Sequence, residues 1–157
     1  MSSAITSAGE GEYLSVVGES IRILLDSNAT GGKCVMFENI SPVGNGPPLH
    51  RHGRDDEYFF VLEGTMKFIV DGRESIVKAG GATFAPRGSV HAFSNIGNAP
   101  CRMLVMCTPG GLEGPFREVD RLGRDGSVTM EALVAAFKRF DLEFVGPPLQ
   151  ASAASSG

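Results

Sequence analysis

The chain contains three histidines, His50, His52 and His91, and all of them fall in two short segments. The first, GNGPPLHRHGRDDEYFFVLEG, spans 44–64; the second, GGATFAPRGSVHAFSN, spans 80–95. His50 and His52 are two residues apart, which in an extended segment places both rings on one face. Glu57 opens the run EYFFVLE, and His91 follows a Pro86-Arg-Gly88 turn. Three imidazoles and a carboxylate suit a divalent first-row metal: Fe, Mn, Ni, Co, Cu or Zn. Such ligands bind in their deprotonated forms, so occupancy depends on pH. Taken singly, each residue has a plainer reading. A lone histidine is more often part of the core or the surface, and Asp55, Asp56 and Glu57 also read as a solvated turn. The combination favours a metal: two histidines and an acid stand ahead of a strand, a third histidine follows a turn, and none is left over.

These residues need a scaffold of short strands. The β-rich runs at 13–17, 20–26, 33–40, 57–63, 66–70, 74–78, 83–85, 91–94 and 102–107 are separated by Gly, Pro, Asn and Asp clusters. Eight or more short strands at such spacing predict a sandwich or closed barrel. Asp71-Gly72 marks a hairpin, and the prolines of 41–48 predict a rigid loop. On the strand at 33–40, Met36, Glu38 and Ile40 share one face and Val35, Phe37 and Asn39 the other, with no sign of which is interior. After 108–111 the texture changes. Residues 112–119 read as a short helix interrupted by Pro115. Residues 129–140 (TMEALVAAFKRF) read as an amphipathic helix capped by Thr129, with Ala132, Leu133, Ala136, Phe137 and Phe140 as its apolar stripe. That helix is expected to pack on the barrel exterior or on a second subunit, and Gly146-Pro147-Pro148 is expected to end the ordered chain. The organisation expected is a flexible N-terminus over 1–12, a β-barrel over 13–111, a helical extension packing on it over 112–148, and a flexible tail over 149–157.

Composition narrows the classes. With 157 residues, 42% hydrophobic and 20% charged, the chain reads as one globular domain that folds without a disulfide. A net charge of −4 with no basic patch argues against nucleic acid and anionic membranes as partners. No apolar run is long enough to span a bilayer. Cys34, Cys101 and Cys107 are odd in number and lack CxxC spacing, and the start MSSAITSAGEGEY resembles no secretory signal. A cytoplasmic location with free thiols is expected.

The two segments also carry a named pattern. Gly44, His50, His52, Glu57 and Gly64 follow G(x)5HxH(x)4E(x)6G, and Gly80, Pro86, Gly88, His91 and Asn95 follow G(x)5PxG(x)2H(x)3N. Both match the signatures of the cupin superfamily, and the short gap between them resembles that of small single-domain cupins. PPLHRHGRDDEYFFVLEG, and TPGGLEGPFREV followed by a helix and GPPL, are similar to the quercetinase-like monocupins. The resemblance implies an all-β, double-stranded β-helix or jelly-roll barrel with a short C-terminal helical segment, and commonly a homodimer. It implies one metal per chain on His50, His52, Glu57 and His91, with turns at Gly64, Gly80 and Gly88. It implies that Asn95 closes a turn, and that Glu57 doubles as the base that takes a flavonol proton.

Strand parity groups Phe59 and Val61 with Glu57, Phe93 with His91, and Met66 with Phe68, while Phe84 precedes the Pro86 turn. These six are the expected pocket wall. An apolar, aromatic wall beside a metal suits an aromatic or enolic small molecule, flavonol-like or polyketide-like, better than a sugar phosphate. The leading expectation is a metal-dependent dioxygenase using O2. The alternatives are a non-oxidative isomerase, cyclase or decarboxylase, and a non-catalytic binding protein.

Overall fold

A computed structural model describes residues 3–149. Ten strands run from the start to the end of the barrel: β1 (Glu12–Val16), β2 (Glu19–Leu25), β3 (Val35–Ser41), β4 (Pro48–His52), β5 (Asp56–Glu63), β6 (Thr65–Val70), β7 (Arg73–Lys78), β8 (Ala82–Ala85), β9 (Val90–Asn95) and β10 (Cys101–Thr108). A one-turn helix α1 (Ser27–Thr30) stands where a turn was expected, capped by the Asp26 side chain. Helices α2 (Glu113–Arg124) and α3 (Met130–Lys138) follow, then a last strand β11 (Leu142–Pro148).

The strands form two antiparallel sheets, a jelly roll. One has the order β1-β2-β3-β10-β5-β8 and the other β11-β4-β9-β6-β7. Period-two burial marks the inward faces of β3, β5 and β10. On β10, Cys101, Met103, Val105 and Cys107 are buried, while the residues between them are half-exposed. On β3 the interior face is that of Val35, Phe37 and Asn39, which settles the face that sequence alone left open. The β6–β7 hairpin turns at Asp71 and Gly72, both at positive φ (48° and 79°), the conformation that matches strand twist in a two-residue loop.

The C-terminal extension departs from expectation in three ways. Pro115 does not interrupt α2. It sits in the first helical turn, where its missing N–H has no intrahelical partner to lose. Thr129 caps α3 as expected, its hydroxyl accepting from the Ala132 N–H at 3.1 Å, but α3 packs on α2 and β11 over the open end of the barrel. Residues 142–148, expected within a helical extension, are a strand instead. They form β11, paired with β4 from Leu142↔His52 through Phe144↔His50 to Pro148↔Pro48. β11 lies at the sheet edge, the one place where Pro147 and Pro148 disturb no ladder. The tail expected beyond Leu149, and residues 1 and 2, lie outside the described residues.

Candidate metal centre

His50 and His52 project from β4 and His91 from the adjacent β9, where His50 pairs directly with His91. Glu57 reaches them from β5 in the opposite sheet. The turn before β9 joins the two halves: Gly88, at φ +83°, donates its N–H to the His52 carbonyl at 2.7 Å. A side chain there would meet the left-handed backbone penalty that glycine escapes. All four residues are buried, and their ligand atoms lie within 4.8 Å of one another.

The outer ring nitrogens fix the tautomers. His50 Nδ1 lies 2.8 Å from the Pro48 carbonyl, His52 Nδ1 2.8 Å from Asp55 Oδ2, and His91 Nδ1 3.3 Å from the Ser89 carbonyl. Carbonyls and carboxylates only accept, so each has a proton to receive from Nδ1, and in that tautomer each Nε2 would be free to ligate. Glu57 Oε2 sits 3.0 Å from His91 Nε2 and 3.4 Å from His52 Nε2. Lone pairs crowded against a carboxylate need a positive charge among them, a proton or a metal ion. Three imidazoles and a carboxylate converging this closely are a donor set that would suit a divalent first-row ion.

Electrostatics agree. Burial and the neighbouring His91 and His52 charges push His50 down to about 3, so its imidazole is neutral at any working pH. Burial would raise Glu57, but the three histidines outweigh it and hold it at about 2. Burial would lower His52; Glu57 and Asp55 together outweigh that and raise it. Cys107 pairs with Glu57 across β10 and β5, and burial followed by the Glu57 and Asp55 charges raises its thiol well above the usual range. It is therefore a packed neutral thiol, not a thiolate ligand.

Asp55 is the residue that sequence reading missed. It was grouped with a solvated turn, yet it is buried and holds the His52 ring, with its Oδ1 unpartnered. Nothing in the DDE run distinguishes Asp55 from Asp56, which instead lies outside and pairs with Arg87 at 3.0 Å.

Three of the four candidate ligands, His50, His52 and Glu57, open onto an apolar cavity of about 380 Å3. Of the expected wall residues, Phe59 and Phe93 line it. Val61, Met66 and Phe68 face inward but lie below it, filling the closed end of the barrel. Phe84 is a correction. β8 pairs Phe84 with Tyr58, so it shares the outer face of Tyr58 and is 49% exposed, while its neighbour Ala85 points in. The missing wall comes from elsewhere: Ile21 and Phe37 from β2 and β3, Phe116 and Phe137 from the helices, and Phe144 from β11. Asn95 lies away from the metal ligands, its amide donating to the Ser41 and Ala99 carbonyls at 2.9 Å each.

Residues 36–107 match the family model described as "Cupin domain". An uncharacterised protein of Methanocaldococcus jannaschii is 35% identical over 62% of this chain and 78% of its own length. Quercetin 2,3-dioxygenase of Bacillus subtilis is 27% identical over 72% of this chain. The chain spans only 33% of that enzyme's length. Among solved structures, a polyketide cyclase from Streptomyces resistomycificus is 27% identical, with a TM-score of 0.52 over 68% of this chain and 73% of its own.

Proposed function

This chain belongs to the cupin family, and from that premise we propose that it is a metal-dependent, dioxygenase-like enzyme acting on an aromatic or enolic small molecule. The observation that supports this reading is the placement of His50, His52 and Glu57 on the wall of a cavity otherwise lined almost wholly by aliphatic and aromatic side chains. A planar, apolar molecule fills such a space, and its one enolic oxygen finds the polar end. The cations suited to a sugar phosphate are engaged outside: Lys67 with Glu74, Arg87 with Asp56, and Arg102 with Glu63.

An ion held by His50, His52, Glu57 and His91 would supply a Lewis acid that makes an enolic hydroxyl more acidic. The protein does the rest. Pro48, Asp55 and Ser89 hold the rings in the ligating tautomer. Glu57, ionised throughout the working range, accepts the substrate proton. Phe59 and Phe93 stack against the substrate plane and exclude water. O2 is the co-substrate of this reading. A non-oxidative cyclisation or isomerisation uses the same acid and base, and the similarity to a polyketide cyclase favours it as the second reading.

We also propose a homodimer through the outer face of the six-stranded sheet. There Tyr58, Phe60 and Phe84 are 40%, 41% and 49% exposed, a cluster that water covers poorly. Three unpaired cysteines fit a reducing, cytoplasmic setting.

The test of the enzyme reading is oxygen uptake by apo protein reloaded separately with Fe, Mn, Ni, Co, Cu and Zn and given quercetin and simpler enolic aromatics. Metal-dependent uptake with loss of substrate absorbance is expected. Turnover of an enolic substrate without oxygen uptake would move the assignment to the cyclase or isomerase class.

A further inference from the structure

A second polar group lines the same cavity. Glu19, the first residue of β2, is buried on its wall together with Asn39 of β3. The Glu19 carboxylate accepts from Asn39 Nδ2 at 2.7 Å, from the Ser41 hydroxyl, and from Asn45 Nδ2 at 2.6 Å. Among the described residues no cation offsets its charge: burial raises its pKa, and the three neutral donors Ser41, Asn39 and Asn45 oppose the rise. A buried carboxylate without a counter-ion is costly, and a glutamine would bridge the same strands without that cost.

Its hydrogen bonds leave room. A carboxylate offers about four acceptor positions. Asn39 and Ser41 occupy Oε2, and Asn45 takes one position on Oε1, so Oε1 retains one. Asn39 spends its Nδ2 on Glu19 and on Ser41 at 2.9 Å, which leaves its carbonyl oxygen outside those bonds. The reverse amide orientation would set oxygen against carboxylate, so this one is fixed. Two acceptors thus border an apolar cavity, and a donor completes them.

The register separates this cluster from the metal ligands. Cys107 of β10 pairs with Glu57 on one side and Val35 on the other, so Val35 is level with Glu57. Asn39 stands four residues further along β3, roughly 13 Å at the rise of a strand. A fused or linked multi-ring molecule bridges such a distance, and a single ring does not.

We propose that Glu19, backed by Asn39, is a specificity subsite that accepts a hydrogen bond from a hydroxyl on the end of a multi-ring aromatic substrate remote from its enolic oxygen. This rests on the enolic-aromatic reading above and adds to it a required substituent: a phenolic donor at the far end.

The test is equilibrium binding to the metal-loaded protein, followed by the absorbance of two probes. Quercetin and 3-hydroxyflavone carry the same enolic hydroxyl-ketone unit, but only quercetin bears phenolic hydroxyls on its outer rings. The wild type is expected to favour quercetin by about tenfold or more, the scale of one hydrogen bond to a charged group. Glu19→Gln, which turns the free acceptor into a donor, is expected to abolish that preference and leave 3-hydroxyflavone affinity unchanged. Should Glu19→Gln not fold, Glu19→Asp, which withdraws the charge by one methylene, takes its place with the same readings. Equal binding of both probes by the wild type, or a preference that survives substitution, overturns the subsite while leaving the enolic reading intact. Failure of both probes to bind overturns both.

Discussion

The Nδ1 atoms decide what the three histidines do. Each has an acceptor outside the cluster, so each Nε2 would be free to ligate, and those of His91 and His52 lie 3.0 and 3.4 Å from Glu57 Oε2. Among those acceptors only Asp55 is charged, and residues of this kind raise ligand basicity as well as orienting the ring. Asp55→Asn is expected to weaken metal binding by about 10- to 100-fold with little change in circular dichroism; unchanged affinity in a chelator competition would show that Asp55 only fills space. The raised His52 sets the pH dependence. Below its pKa the ring holds a proton that a metal must displace, whereas His50, at about 3, has none to lose near neutrality. Affinity is therefore expected to fall by about tenfold per pH unit as pH drops through the His52 value, and to level off above it. Competition titrations across pH measure this, and a flat profile would contradict the assignment. The candidate ligands were legible because residue type and spacing are properties of the chain. Asp55 was not, because its distinction from Asp56 is burial, which arises only when the turn folds.

At the level of elements, the strands that carry ligands were readable and those that close the cavity were not. Apolar, β-rich runs between turn residues marked β5, β6 and β10, and Asp71-Gly72 marked the hairpin. β11 escaped because Gly146, Pro147 and Pro148 are breakers in any ladder except at an edge, and edge position is a property of the assembled sheet. Parity gave face but not depth, so Val61, Met66 and Phe68 were correctly read as interior yet lie beneath the cavity. Phe84 was placed by its nearness to a turn and not by its pairing with Tyr58, and it faces out. The C-terminal wall has its own energetics. Phe137 is buried, edge-on to Phe116 at 6.2 Å between ring centres and edge-on to Phe144 at 5.5 Å. Phe137→Ala is expected to destabilise the protein by about 3–5 kcal/mol, towards the lower end if water enters from the cavity. Denaturant unfolding measures it, and a loss below about 1 kcal/mol would show that the extension is only loosely docked.

At the level of the whole molecule, two sheets bring together ligands distant in sequence, and the helices with β11 give the resulting site a roof. The outer face of the six-stranded sheet keeps an exposed aromatic cluster of Tyr58, Phe60 and Phe84. Light scattering is expected to show a dimer, and Phe60→Glu, which places a charge among Tyr58, Phe60 and Phe84, to yield a monomer that retains its metal. A monomeric wild type would refute that interface without touching the site. The central claim is that His50, His52, Glu57 and His91 form one metal site, and metal content per chain tests it most directly. Protein purified and reloaded with a divalent first-row ion is expected to carry about one per chain, and His91→Ala, folded by circular dichroism, to lose nearly all of it. Equal metal content in the two proteins would place the ion elsewhere and contradict the account.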